Sequence, residues 1–116
     1  MQSEDAARLL IGRVLTEVDF VHDYVHLVYG DVGLTVNAPM VLATPQGNVR
    51  TGAPQFEDLL RRRTGHTVTD AKTTTDYLRL EFDDGGKVDV SLVPDDQVSP
   101  EAAVLEGKTL DRVYVW

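Results

Sequence analysis

Hydrophobic and polar positions alternate along much of this chain, and the alternation is stated twice. Val25, Leu27 and Tyr29 interleave with Tyr24, His26 and Val28, and later Leu78, Leu80 and Phe82 interleave with Tyr77, Arg79 and Glu81. A period of two is what a pleated strand imposes on its side chains. A glycine- and aspartate-rich segment follows each run, Gly30-Asp31-Val32-Gly33 in the first and Asp83-Asp84-Gly85-Gly86 in the second. The alternation then resumes, through Leu34, Val36 and Ala38 or through Val88, Val90 and Leu92. Each copy therefore reads as a hairpin whose turn uses residues that tolerate positive φ.

The two statements align residue by residue. From Gly12 the offset is 53 residues (65 − 12 = 53), and six of the 20 pairs from Gly12 to Asp31 are identical. They are Gly12/Gly65, Thr16/Thr69, Asp23/Asp76, Tyr24/Tyr77, Leu27/Leu80 and Asp31/Asp84. Ordinary composition gives about one such match by chance. Beyond the turn the offset becomes 54, because Val36 matches Val90. A one-residue insertion inside a turn leaves the facing of both strands intact.

Other elements are written less plainly. Met1 to Ile11 reads as a short helix with Ser3 as N-cap and acids behind it. Met40 to Ala43 reads as a short strand after Pro39, and Pro45-Gln46-Gly47-Asn48 as a turn. The clearest helix runs from about Pro54 to Arg63, with proline near its start, Glu57 and Asp58 early, Arg61-Arg62-Arg63 at its end and Gly65 beyond. Phe56, Leu59, Leu60 and Arg63 form its stripe. Val93 to Pro100 reads as a polar loop, and Ser99 to Gly107 fits a helix start or a strand. Val113-Tyr114-Val115-Trp116 reads as a strand, with Trp116 docked.

These elements define an α+β fold of mostly antiparallel strands. Two repeated meanders of three or four strands, at about 12–38 and 65–92, are related by a pseudo-twofold axis. One helix near 54–63 links them and lays Phe56, Leu59 and Leu60 on the apolar sheet face. The expected core adds Leu15, Val18, Phe20, Val25, Leu27, Tyr29, Leu34, Val36, Val68, Leu78, Leu80, Phe82, Val88 and Val90. A chain of 116 residues fits one domain over residues 1–116, large enough for a core without staples.

Composition narrows the function. Eleven basic and 19 acidic residues give a net charge of −8, which argues against nucleic acid, whose binding needs clustered Lys and Arg. Acidity serves solubility and also steers a basic partner. The chain has no cysteine, so disulfides and thiolate chemistry are excluded, and a cytoplasmic location is expected. The Met1–Leu10 segment does not read as a secretory signal. No apolar run approaches the ~20 residues of a membrane span, so no membrane partner is expected.

Candidate chemistry is sparse. His22 and His26 are four apart, but on a strand such residues lie about 13 Å apart, too far for one metal ion. His66 aligns with Arg13 and gains no matching partner from the duplication. Asp83-Asp84 and Asp95-Asp96 lack the ligand series of a calcium loop, and turn chemistry accounts for the first pair. Arg61-Arg62-Arg63 suits a helix C-terminus, with a phosphate or acidic partner as the sharper reading. No nucleophile elbow, P-loop or dinucleotide fingerprint occurs, so no catalytic, cofactor-binding or metal residue is assigned and no enzyme is expected. The one group that invites a partner is Tyr24, His26, Tyr77 and Arg79, a polar-aromatic set on the strand face opposite Leu27 and Leu80.

Gly12-Arg13 with Thr16, Gly65-His66-Thr67-Val68-Thr69 and the closing Trp116 resemble a group of small uncharacterised bacterial proteins, frequent in actinobacteria. The resemblance covers most of Gly12 to Trp116 and implies a duplicated strand-rich layout with a linking helix. It implies no activity. The chain departs from the pattern after Pro94, where Ala102-Ala103-Val104-Leu105 replaces an aromatic-rich strand. The expected function is a non-enzymatic protein-interaction module. An immunity-type inhibitor of a basic toxin and a self-associating dimer are specific forms. The alternative is a small-ligand or metal-binding domain with its pocket between the two repeats.

Overall fold

The structure, a computed structural model, describes residues 6–22, 24–93 and 101–116. The expected Ser3 cap, the Asp95-Asp96 pair and the Ser99-Pro100 helix start lie outside the described residues. Among the described residues, ten strands form two five-stranded antiparallel sheets. In the first repeat β1 (Glu17–Val21), β2 (Tyr24–Tyr29) and β3 (Val32–Val36) make one meander, and β4 (Met40–Thr44) and β5 (Gly47–Arg50) make a hairpin. In the second, β6 (Val68–Thr73), β7 (Tyr77–Phe82) and β8 (Lys87–Ser91) make the meander, and β9 (Ala103–Gly107) and β10 (Tyr114–Val115) the hairpin.

Each meander takes the other repeat's hairpin. The sheet orders are β1-β2-β3-β9-β10 and β5-β4-β8-β7-β6. Val36 faces Ala103 across β3 and β9, and Val90 faces Met40 across β8 and β4. Val18 faces Leu27 in one meander and Ala71 faces Leu80 in the other, the same register 53 residues on. The pseudo-twofold axis passes through an antiparallel bridge between Val14 and Thr67, a residue and its own counterpart (14 + 53 = 67). Its hydrogen bonds come in mated pairs. Leu15 N–H donates to His66 O at 3.0 Å and Val68 N–H to Arg13 O at 2.9 Å. Gly12 N–H donates to Val68 O at 2.8 Å and Gly65 N–H to Leu15 O at 2.7 Å. Gly12 and Gly65 hold φ of 88° and 89°, a left-handed turn that glycine enters without steric cost.

One core lies between the sheets. Leu27, Tyr29, Leu34, Val36, Leu78, Leu80, Phe82, Val88 and Val90 are buried in it, together with Leu15, Val18, Phe56, Leu60 and Val68. Phe20, Val25 and Leu59 are partly buried at its margin. Val32, Met40, Leu42, Ala71 and Leu105 join the core although the alternation did not single them out. Val32 lies there because the first turn is only Gly30-Asp31, so β3 starts two residues earlier than the glycines imply.

The linking helix α1 is shorter than expected and covers Phe56–Arg61, and the described part of the N-terminal segment holds a 3-10 turn, Ala7–Leu10. Neither has a side-chain cap hydrogen bond, so the isolated turns gain little and packing sets their length. Helix α1 packs on β1 of one sheet and β4 of the other, rather than on a single sheet face. The stretch left open between helix and strand is β9, paired with β3 along its whole length and with β10 at Val104 and Leu105.

Candidate functional site: a cleft at the sheet seam

The two ends of the seam between the sheets are related by the pseudo-twofold axis and are built differently. At one end Trp116, just past β10, pairs with β9, its N–H donating to Ala103 O at 2.9 Å. This places its side chain on the core face of the first sheet, beside the buried Ala103. From there the indole crosses to the second sheet, and Nε1–H donates to Thr73 Oγ1 on β6 at 3.3 Å. At the other end the counterpart of Trp116 is Thr51, just past β5, whose N–H donates to Met40 O at 3.0 Å. Its hydroxyl turns back to accept from Met40 N–H at 2.8 Å. Pro39 stands where the other end has Ala102, whose N–H donates to Trp116 O at 2.7 Å; proline has no N–H to offer Thr51 O.

Thr51 is too short to cross the seam, and a cleft of about 560 Å³ remains. Phe20, Val25, Met40, Ala53 and Phe56 supply its apolar walls, and Tyr24, His22 and Glu57 also line it. Phe20 and Phe56 meet edge to face, with ring centroids 6.5 Å apart at 83°. The Arg61 guanidinium lies 4.9 Å from the Phe20 ring centre and donates to Val18 O at 2.9 Å, which fixes that wall from behind. Met40 is fully buried at the base, whereas Tyr24 is 38% exposed.

The four residues singled out as a surface patch divide into two pairs on separate sheets, because β2 and β7 are mates across the axis. Tyr24 is part of the cleft. His26 lies across β3, its Nδ1 3.0 Å from Thr35 Oγ1. A Cβ at Gly33 would stand 2.7 Å from the imidazole, so glycine is what lets the ring lie flat there. Arg79 is held on Asp89 by two hydrogen bonds of 2.7 and 2.9 Å, and its guanidinium carbon sits 4.6 Å from the Tyr77 ring centre. The hydrogen bond to Asp89 drives the Arg79 pKa further up, so it stays a neutralised cation.

Histidine and carboxylate chemistry gathers elsewhere. His66, Asp83 and Asp84 bring ligand atoms within 4.8 Å of one another, a grouping that the alignment with Arg13 concealed. The ring nitrogens face different carboxylates, Nδ1 at 2.7 Å from Asp83 and Nε2 at 3.7 Å from Asp84. Arg63 already holds Asp84 at 2.7 Å through both carboxylate oxygens. The His66 hydrogen bond, then the Thr67 N–H, keep Asp83 below the usual carboxylate range. Burial raises Asp84, and the Gly86 N–H and Arg63 outweigh it to hold that carboxyl low as well. Across the axis Arg13 meets Asp31 at 3.4 Å, so His66–Asp84 is the mate of Arg13–Asp31. The cluster is a duplicated side-chain contact enlarged by Arg63, in which His66 Nδ1 is hydrogen-bonded to Asp83 and Nε2 faces Asp84.

The triple-arginine run also resolves into separate tasks. Arg61 supports Phe20, Arg62 pairs with Asp58 at 2.9 Å, and Arg63 holds Asp84. His22 sits in the β1–β2 turn with φ of 41°, so the i, i+4 strand spacing to His26 does not apply. No described helix is long and apolar enough to cross a membrane. Comparison with known protein families, with curated proteins and with solved structures finds no match to this chain.

Proposed function

We propose that the protein is a non-enzymatic interaction module that receives an apolar side chain of a protein partner in the cleft at the sheet seam. The observation that carries this reading is the inequality of the two ends: the one closed by Trp116 completes the core, and the one at Thr51 leaves Phe20 and Phe56 lining an open hollow. Among the described residues the walls are mainly hydrocarbon and aromatic ring with one carboxylate, Glu57, a composition suited to capture rather than bond-making. Anchors of this kind, apolar pockets that one buried side chain fills, carry most of the energy of protein interfaces. The net charge of −8 favours a basic partner, and a toxin neutralised by an immunity-type protein is one form of it. The absence of cysteine supports a cytoplasmic setting.

A second reading places a small ligand in the same cleft, whose volume of about 560 Å³ lies in the usual range of ligand pockets. Ala53→Arg separates these from a passive hollow by placing a charge in the wall. Tagged wild-type protein from its native host should retain a stoichiometric protein. Ala53→Arg should lose at least ten-fold of it, with a melting temperature within a few degrees of wild type. Wild type that carries only a small molecule in native mass spectrometry would replace the first reading by the second. A partner retained undiminished by Ala53→Arg would overturn the cleft as its site.

A further inference from the structure

The pseudo-twofold axis supplies a filled copy of the open site, and the filling is an indole. Trp116 and Thr51 hold mated positions, each bonded through its N–H to the counterpart carbonyl, Ala103 O or Met40 O. Both side chains leave the strand on the core face. The space that opens beyond Thr51 therefore corresponds to the space that Trp116 crosses on its way to Thr73. Thr73 in turn is the mate of Phe20 (20 + 53 = 73), so the far wall of the open cleft is an aromatic ring where the filled one has a hydroxyl.

We infer that the cleft selects an aromatic side chain, tryptophan or tyrosine, flanked by a basic residue in the partner. This inference rests on the interaction-module reading and names the chemistry of its occupant. A ring entering from solvent meets the partly exposed Phe20, which the buried Phe56 backs edge to face, so a third ring extends an aromatic contact already in place. The exchange of a hydroxyl for Phe20 moves the polar demand away from the far wall toward the mouth, where Glu57 and Tyr24 stand. The carboxylate of Glu57, on a chain of net charge −8, sets the sign of the flanking group. A leucine or isoleucine fills volume but forgoes the ring–ring contact.

Three tripeptide amides, Lys-Trp-Lys, Lys-Leu-Lys and Glu-Trp-Glu, test this by titration into the full chain, followed by backbone amide chemical shifts at low ionic strength. The three peptides are matched in size, so the ratios of their affinities are what is read. Lys-Trp-Lys should bind saturably and at least five-fold more tightly than Lys-Leu-Lys. It should also exceed Glu-Trp-Glu, by a margin that shrinks in Glu57→Gln. Thr51→Trp should restore the symmetric plug, abolish Lys-Trp-Lys binding and keep or raise the melting temperature. Ala53→Leu, which narrows the cleft without touching the Thr51–Met40 hydrogen bond, should weaken Lys-Trp-Lys in the same direction if Thr51→Trp fails to fold. Equal binding of Lys-Leu-Lys and Lys-Trp-Lys, or undiminished binding to folded Thr51→Trp, overturns the inference. If no tryptophan peptide binds while Ala53→Arg still sheds its protein partner, the aromatic class fails alone; if the partner stays on Ala53→Arg, the cleft fails as its site; if wild type retains no partner at all, the interaction module fails with it.

Discussion

At the scale of single residues the duplication distinguishes what the fold requires from what one copy has altered. Leu27 and Leu80 are both buried, and Thr16 and Thr69 each donate a hydroxyl to the mated carbonyls Val28 O and Glu81 O. Such identities were legible because each serves its own strand. Arg13 and His66 look unrelated in the alignment, yet each answers the aspartate of the identical pair Asp31/Asp84. The exchange of guanidinium for imidazole preserves a side-chain contact that spacing alone does not reveal. Tyr29 and Phe82 are a sharper case. Tyr29 is buried, and its hydroxyl finds no hydrogen-bond partner among the described residues. Burial accordingly drives its pKa up. Phe82 fills the mated position without that cost. Tyr29→Phe should therefore stabilise the protein by about 1 kcal/mol in chemical denaturation, since an unsatisfied buried polar group costs ~1–3 kcal/mol. A loss of stability would mean that the hydroxyl is engaged after all.

Elements carry the part that the sequence left ambiguous. Both meanders were readable from alternation and turn glycines. The exchange of hairpins was not, because alternation shows which face a strand buries and says nothing of which sheet receives it. A signal for it does exist. Val41-Leu42 on β4 recurs as Val104-Leu105 on β9 at an offset of 63, nine more than the 54 of the preceding strands (63 − 54 = 9). The longer crossover hid this continuation, and with it the choice of strand over helix at Ala103–Gly107. The strand β5 was likewise hidden, because Pro45-Gln46 turns the chain in two residues and Gly47 already pairs with Thr44. Hairpin exchange ties each half of the molecule to the other, and Trp116 closes the second end of that tie. Trp116→Ala should cost about 2–3 kcal/mol, less than the ~3–5 of a fully buried aromatic because the indole is only partly buried. An unchanged unfolding midpoint would show that the indole lies on the surface and closes nothing.

The whole molecule is a near-symmetric object with one asymmetric cleft. Symmetry explains the crossed hairpins, the mated glycines and the two ends of the seam. Asymmetry is concentrated where Thr51 replaces Trp116, Phe20 replaces Thr73 and Pro39 replaces Ala102. None of these three positions stood out as chemistry in the sequence, since each is unremarkable until the axis pairs it with its counterpart. Tyr24 did stand out, and it lines the cleft, whereas its mate Tyr77 lies under Arg79 on the other sheet. An interaction module of this design uses one end only. The most direct measurement is the footprint of Lys-Trp-Lys on the backbone amides of the isotopically labelled chain. The expected result is shifts confined to residues 20–25, 36–40 and 51–57, with the mated segments 73–78, 90–92 and 102–103 silent. Equal shifts at both ends, or shifts elsewhere with residues 51–57 unmoved, would contradict the assignment of the open seam as the binding site.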